Sequence, residues 1–220
     1  MPADRLDEVL DSAYDCLTRY GVRRTTMDDI ATGMGVSRST LYLYVNNKDD
    51  AFRRLAARLH TQALARARTA ATAPDAPCVD RIRDVLAAKL DLVLHLSGDS
   101  PHTTELLDHK TRLFADICHT FTADLRHLLT ALFTEAGIPG AIEPAETGAP
   151  VAIEPAAAGA SSVIDPADPG APSVIEPAEA ADICLALVAG LESAPDARRL
   201  LTPATDALLT GLLGAPTPIR

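Results

Sequence analysis

The sequence predicts an all-α protein. Apolar residues make up 47% of the 220 residues, but aromatic residues are only 4% and tryptophan is absent. The core must therefore be built from Leu, Ala, Val and Ile, which favours packed helices. Apolar residues recur every three or four positions, and outside one Pro-rich segment Val and Ile form no alternating runs. We expect no sheet.

The first element is an amphipathic helix that stops at Gly21, a residue type common after the last turn of a helix. Its apolar stripe consists of Leu6, Val9, Leu10, Ala13, Cys16, Leu17 and Tyr20. Because Cys16 lies on this stripe, we expect a buried, inert thiol rather than a redox sensor.

Residues 25–48 predict two short helices around a tight turn. Thr25 and Thr26 are N-cap candidates, and Asp28 and Asp29 follow in the first turn. Gly35 suits the sharp turn between the two helices. Two helices joined this closely, with the first helix as a third wall, form a helix-turn-helix domain.

Ser37 is expected to cap the second of these helices, predicted over residues 38–45. Leu41 and Val45 are i,i+4 partners that share one inward direction. The opposite side is then formed by Ser39, Thr40, Leu43 and Tyr44. This short, polar and aromatic surface is typical of a helix that enters the DNA major groove.

The same residues resemble the DNA-binding signature of the TetR family of bacterial transcriptional regulators. The resemblance lies in Thr-Thr before an Ile-Ala helix, then Gly-Val-Ser, Thr-Leu-Tyr, a Tyr-Val pair, and Lys48 followed by acids. Ser39 stands where the family often has Gly, Leu43 and Tyr44 replace commoner polar or His residues, and Val45 replaces a frequent Phe. An operator sequence therefore cannot be carried over from a relative.

The outer surface suggests roles for individual residues in DNA binding. Arg38, Ser39, Thr40 and Leu43 are expected at base edges, where Arg38 can fork onto guanine and Leu43 can contact a thymine methyl. The residues expected at phosphates are Thr26, Ser37, Tyr42, Tyr44 and Lys48. The alternative for Tyr42 and Tyr44 is that they only pack the small core.

The formal charge of −10 is unusual for a DNA-binding protein, but its distribution explains it. Residues 1–60 carry nine Arg or Lys and nine Asp or Glu, so all the excess negative charge lies beyond residue 60. DNA binding depends on the local field at the contact surface. We expect that field to come from Arg23, Arg24, Arg38, Lys48, Arg53, Arg54 and Arg58.

Four further helices are predicted behind this domain, at about 48–70, 79–96, 102–109 and 111–136, with a polar break at 97–101. By the resemblance, the first of them connects the DNA-binding domain to a ligand-binding core. Its Arg53 and Arg54 are expected either at DNA phosphates or on a solvated face.

From residue 141 the chain becomes repetitive, with Ile142, Ile153, Ile164 and Ile175 each 11 residues apart. Pro and Gly in every unit argue against a continuous helix, and too few apolar groups remain to offset the ordering entropy. We expect an acidic Pro/Ala-rich disordered linker, with partner binding as the alternative.

The last two helices are predicted at about 178–192 and 203–213 and are richly apolar. They expose more apolar surface than one bundle face covers, which indicates self-association. In the resembled family the final two helices form the dimer interface, so we expect a homodimer through them. The predicted boundaries are therefore 1–47 (DNA-binding), 48–72 (connecting helix), 73–140 (ligand-binding core), 141–173 (repeats) and 174–220 (dimerisation).

The resemblance also implies an apolar effector pocket among the central helices. We expect His95, His109, Phe114, Cys118 and Phe121 to line it, with plain core packing as the alternative for each. The six histidines include no HxxxH pair and the four cysteines no CxxC pair. We therefore expect no metal and no cofactor.

The cysteine spacing and the N-terminal sequence MPADRLDEVL favour a reduced, cytoplasmic protein without a membrane span. We expect a ligand-responsive repressor that binds a pseudo-palindromic double-stranded DNA operator and is released by a small-molecule effector. The alternative is control by a protein partner or by cysteine oxidation. An enzyme using Cys118 and His119 is disfavoured, because adjacent helical residues point about 100° apart.

Overall fold

The protein is all-helical, as expected. A computed structural model describes residues 2–107, 113–137, 175–194 and 196–213, and within them every regular element is a helix. The α-helices are α1 (Pro2–Arg24), α2 (Met27–Gly33), α3 (Arg38–Leu41), α4 (Lys48–Ala71), α5 (Cys78–Asp99), α6 (Ala115–Glu135), α7 (Pro177–Leu191) and α8 (Ala197–Leu213), and a 3₁₀ helix spans Thr103–Leu107. None of the described helices is long and apolar enough to cross a bilayer.

The first three helices enclose a small core that α4 closes. Leu17 of α1, Ile30 of α2 and Leu41 of α3 are fully buried there, as is Phe52 of α4. Ser12 on α1 donates a hydrogen bond to the Ile30 carbonyl at 2.8 Å. This bond fixes α2 against α1, and α3 then follows α2 through a short turn.

The break predicted at Gly21 is present inside α1. Gly21 has φ 77° and ψ 166°, and one helical turn to Arg24 follows it. A Cβ at this position would lie 2.8 Å from Glu105 Oε1. The absent side chain therefore lets the 3₁₀ helix approach the end of α1.

Helices α4 to α8 build a second bundle on the first. Helix α4 packs against α1, α5 and α6, while α7 packs on α6 and α8 packs on α5 and α7. Fully buried residues of this core include Leu86, Leu125 and Val188. Because α4 contributes to both cores, it is a continuous rod between them.

Polar contacts also join the two bundles. Ser100, at the end of α5, donates to the Thr18 carbonyl at 2.8 Å. Glu105 accepts from the Val22 backbone N–H at 3.2 Å. The second bundle is therefore attached to α1 as well as to α4.

Some predicted helix ends are wrong. Helix α3 ends at Leu41 rather than residue 45, because the chain tightens into i→i+3 hydrogen bonds from Leu43 to Thr40 and from Tyr44 to Leu41. Helix α8 begins at Ala197, and Pro203 lies inside it rather than at its start. The buried Leu201 holds this extra first turn against the core. Helix α6 begins at Ala115 rather than near residue 111.

Two predictions fall outside the described residues. His109 lies in residues 108–112, and the repeats at 141–173 lie in residues 138–174.

Candidate nucleic-acid interface and ligand cavity

The N-terminus of α2 is closed by a capping box. The Thr26 hydroxyl accepts from the Asp29 backbone N–H at 3.2 Å, and Asp29 accepts from the Thr26 backbone N–H at 2.8 Å. The Thr26 hydroxyl also donates to the Asp29 carboxylate at 2.7 Å, and this hydrogen bond, followed by the one from the Thr26 backbone N–H, lowers the pKa of Asp29. The box satisfies two otherwise unpaired backbone donors and leaves Thr26 exposed at the surface.

The turn between α2 and α3 uses a left-handed glycine. Gly35 has φ 66°, which a residue with a side chain rarely adopts. Beyond it, the Ser37 hydroxyl accepts from the Thr40 backbone N–H at 3.2 Å and so caps α3. The predicted caps at Thr26 and Ser37 are confirmed.

The surface of α3 and the turn after it separates inward from outward residues as predicted, except at Tyr44, which was expected to face outward but is half-buried and packs against the core. Leu41 and Val45 are buried. Ser39 is exposed, Thr40 is half-buried, and the Leu43 side chain is 78% exposed. An isolated leucine on this convex surface suits an apolar contact to a thymine methyl.

Arg38 and Tyr42 form a pair on the same surface. The Arg38 guanidinium lies 5.6 Å from the centre of the Tyr42 ring and donates to the Tyr42 hydroxyl at 3.2 Å. Arg38 also donates to Asp28 at 3.2 Å. Tyr42 is 44% exposed, whereas Tyr44 is half-buried and packs against the core.

Basic groups gather where the end of α1 meets the start of α4. Lys48 begins α4, and its Nζ donates to the Arg23 carbonyl at 3.2 Å. Arg23 and Arg24 are exposed, and neither has an ion pair with a described residue. The three cations are called the basic cluster below, and they suit phosphate oxygens rather than base edges.

The arginines of α4 are used differently. Arg53 forms a two-point ion pair with Asp116 and donates to the Leu113 carbonyl at 2.7 Å. Arg54 pairs with Asp50, and Arg58 pairs with Asp7 and Asp11 of α1. Arg53 and Arg58 thus tie α4 to α6 and to α1.

Two cavities meet at a His60–Phe121 contact in the second bundle. The rings are 5.2 Å apart and nearly perpendicular, at 86°. One cavity of about 210 Å³ lies between α4 and α6, and its lining includes Leu64, Ile117 and Thr120. The other, of about 230 Å³, lies among α4, α5 and α6 beside Glu192, just after α7. His60 and Phe121 line both cavities and so divide them.

Both ring nitrogens of His60 have a partner in the second bundle. Burial lowers the pKa of His60, and a backbone hydrogen bond partly opposes that shift. Its Nδ1 lies 2.8 Å from the Ala56 carbonyl, which can only accept, so Nδ1 carries the proton. Its Nε2 then accepts from the Cys118 thiol at 3.7 Å.

The second cavity also holds a charged pair. Lys89 of α5 contacts Glu192, and their side chains are 14% and 27% exposed. The lining includes apolar Leu92 and Val93 and polar His119. Sequence reasoning missed Lys89, Glu192 and His60 as lining residues. The only signal was a lysine inside the apolar run of α5.

The residues expected in the effector pocket are not all brought together. Cys118 and Phe121 line the second cavity. His95 lines a separate polar cleft with Arg66, Asp91 and Arg198. Phe114 is buried in the core, at 1% exposure, and His109 lies outside the described residues.

The chain is similar to known proteins in its N-terminal sequence and in its fold. Residues 9–55 match the family model for bacterial regulatory proteins of the tetR family. No curated protein matches the sequence.

Three solved structures share the fold. One is a putative transcriptional regulator from Pseudomonas aeruginosa PAO1, with 15% identity, coverage of 98% of this chain and 93% of that one, and a TM-score of 0.68. Another is a TetR/AcrR-family regulator from Thermobifida fusca YX-ER1, with 17% identity, coverage of 94% and 98%, and a TM-score of 0.65. The third is SmeT in complex with triclosan, with 18% identity, coverage of 98% and 96%, and a TM-score of 0.60.

The N-terminal match and the shared fold agree with the capped helix-turn-helix described above. Residues 9–55 therefore match the DNA-binding domain of bacterial regulatory proteins of the tetR family, and the chain as a whole shares the fold of the three solved structures.

Proposed function

We propose that this regulator is a homodimeric repressor that binds a pseudo-palindromic DNA operator and is released by a small-molecule effector. The observation that carries the proposal is α4, which begins at the basic cluster and lines both cavities with His60. At 1.5 Å per residue, Lys48 and His60 are roughly 18 Å apart along one rigid helix. A ligand in the cavities therefore acts on the rod that positions α3.

The DNA side of the proposal rests on exposure and charge. Arg38, Ser39, Thr40 and Leu43 read base edges, and the residues of the basic cluster bind phosphates together with Thr26, Ser37, Tyr42 and Tyr44. Leu43 supports this assignment because an exposed leucine contributes little to folding. Arg38 still has guanidinium donors for guanine while it contacts Tyr42.

The dimer forms through α7 and α8. Ile183 is 37% exposed, and Leu187 lies four residues further along the same side of α7. On α8, Leu208 and Leu212 repeat this spacing and are half-buried. A second copy would cover these apolar side chains and place two α3 helices on successive major grooves, about 34 to 36 Å apart.

The effector side rests on the cavities and on the Arg53–Asp116 pair. Each cavity alone is smaller than a typical ligand site, but a turn of the Phe121 ring would join them. Ile117 and Phe121 lie on α6 directly after Asp116, which Arg53 ties to the first turns of α4. The triclosan-bound SmeT structure has the same fold and contains a small molecule. Ligand would favour a state in which the reading heads no longer match the operator.

Control by a protein partner or by cysteine oxidation is the alternative. Burial raises the pKa of Cys16 and of Cys78, and raises that of Cys184 to about 12. Thiols with a raised pKa form little thiolate and oxidise slowly. This argues against oxidation at those three positions and favours a small effector. A cytoplasmic location follows from the proposal, because the operator is part of the cell's own DNA.

Selection of bound duplexes from a random DNA pool tests the proposal. We expect an inverted repeat whose half-sites are about 10 base pairs apart, bound by a dimer in sedimentation. Leu43→Ala should relax the preference at one base pair per half-site by about 1 kcal/mol, the worth of one buried methyl contact, without changing the thermal midpoint.

The matched control is Leu41→Ala, which removes a buried side chain from the same helix and should lower stability by about 2–5 kcal/mol. A monomeric protein, or one that selects no sequence at low salt, would refute the proposal. An effector screen by release of the selected DNA then tests ligand control.

A further inference from the structure

We propose that the cavity beside Lys89 binds an aliphatic monocarboxylate, whose carboxylate replaces that of Glu192 on Lys89. The inference rests on the proposed function, because it treats this cavity as part of the effector site. The proposed ligand has a carboxylate head group and an aliphatic tail, and it displaces the Glu192 side chain from Lys89.

The charged pair of Lys89 and Glu192 lies at the wall of this cavity. Lys89 and Glu192 are mostly withdrawn from water and stand beside apolar Leu92, Val93 and Phe121. An ion pair in such a place loses solvation that its own attraction barely returns. Apolar side chains of similar volume often stabilise such a place as well as an ion pair does, so the pair can have a role beyond folding.

Lys89 and Glu192 are not held equally firmly in the structure. Lys89 lies in the middle of α5, fixed by helix on both sides. Glu192 is the C-cap residue of α7, where the negative end of the helix dipole repels a carboxylate. Glu192 is therefore the exchangeable partner, and Lys89 is the constant one.

The positive charge of Lys89 determines the head group of the ligand. The contact with Glu192 shows that the Lys89 ammonium can bind a carboxylate at the cavity wall. A ligand carboxylate would make the same contact without the repulsion from α7. A cationic ligand would instead place its charge beside the Lys89 ammonium. Since His60 is neutral, Lys89 is the cation that selects the ligand.

The volume and the lining of the cavity determine the tail of the ligand. A cavity of about 150 Å³ holds benzene, so the 230 Å³ of this cavity accommodates roughly nine non-hydrogen atoms. The lining side chains Leu92 and Val93 are aliphatic and suit a flexible methylene chain. Octanoate is about the right size, and a longer chain would need the Phe121 ring to turn aside.

Calorimetric titration of the full chain, without DNA, tests the inference with octanoate, octanol and octylammonium. These three probes share a tail and differ in charge. We expect octanoate to bind roughly two- to fivefold more tightly than either of the others, because the exchange keeps the charged hydrogen bond of Lys89 and removes the repulsion between Glu192 and the end of α7. Lys89→Met should lose this preference, and Glu192→Gln should bind octanoate several-fold more tightly because the competitor is gone.

The matched control is Asp182→Asn. It breaks the Arg126–Asp182 pair, which also joins α6 to α7 but is about half exposed and lines neither cavity. Octanoate affinity should not change in this variant. If Lys89→Met does not fold, the comparison of head groups and the Glu192→Gln variant still decide the question.

The inference is overturned if octanoate does not bind, if octylammonium binds as tightly, or if Glu192→Gln weakens octanoate binding. Failure of the proposed function gives a different result. Octanoate would then bind through Lys89 as stated, while no effector releases the selected DNA.

Discussion

Replacing Gly33 with alanine should destabilise the protein only while Ser12 keeps its hydroxyl. Gly33 ends α2, and a Cβ built on it lies 2.3 Å from Ser12 Oγ. That distance is too short for two real atoms, so the hydroxyl must turn away. It then loses its 2.8 Å hydrogen bond to the Ile30 carbonyl, which joins α1 to α2.

The size of the effect follows from the same contacts. Losing the hydrogen bond costs about 1 kcal/mol, and the Ile30 carbonyl still accepts from the Met34 backbone N–H at 3.1 Å. The displaced Ser12 hydroxyl is buried and left without this acceptor, which adds about 1–3 kcal/mol. Gly33→Ala should therefore cost about 2–4 kcal/mol in total, and Ser12→Ala alone about 1 kcal/mol.

The double variant should behave differently. Once the Ser12 hydroxyl is gone, the nearest atom to the new Cβ is the residue-12 Cβ at 3.5 Å, an ordinary contact. Alanine is then favoured over glycine in a helix by up to about 1 kcal/mol. The two changes together should cost about 2–4 kcal/mol less than the sum of the single changes.

Urea unfolding followed by circular dichroism, at one protein concentration because a dimer is expected, measures all four proteins of this cycle. Additive effects, within about 0.5 kcal/mol, would refute the assigned contact between Ser12 and Gly33.

Three further predictions concern charged groups. Lys48→Ala should weaken binding to all duplexes and reduce the salt slope by about 1, while Arg66→Ala, on the exposed face of the same helix, should leave the slope unchanged. Arg53 holds the pKa of Asp116 at about 2, below the usual 3.8, so their pair stabilises the protein above pH 3.8 and is lost as the pH falls through 2. The stability gap between the wild type and Arg53→Gln should therefore be constant from neutral pH to about pH 4 and close below it, as followed by urea midpoints. Burial lowers the pKa of His60 below 6.5, so in acid the unfolded chain binds a proton that the folded chain does not. The wild type should lose stability as the pH drops below 6.5, and His60→Leu should lose less over the same range.

Local features were predictable from the sequence because nearest neighbours determine them. The caps at Thr26 and Ser37, the turn at Gly35 and the inward direction of Leu41 depend on residues within four positions. The end of α3 was predicted four residues too late, because helical spacing does not distinguish a last α-helical turn from a 3₁₀ turn. The start of α8 was predicted at Pro203, because proline is commonest in the first turn of a helix. Pro203 instead lies inside α8.

The ligand cavity was harder to predict because its lining comes from distant segments. His60 lies on α4, Lys89 lies on α5 and Glu192 lies just after α7, and each alone looks like an ordinary polar residue in an apolar stretch. The sequence placed His95 and Phe114 in the same pocket as Cys118, but they lie in a polar cleft and in the core. Knowing that a helix is apolar on one side does not tell which neighbour it faces.

The same limitation explains the charge balance of the N-terminal region. The sequence suggested that Arg53, Arg54 and Arg58 contribute to the field at the DNA surface. Acids from other helices neutralise Arg53 and Arg58, and Asp50 neutralises Arg54 within α4. The residues of the basic cluster have no such ion pair with a described residue. The ion pairs of α4 therefore tie this helix to its neighbours, and the proposed phosphate binding would rest on a few residues at its N-terminal end. This division makes the salt slope of a Lys48 variant a sharper test of the DNA interface than the total charge of the domain.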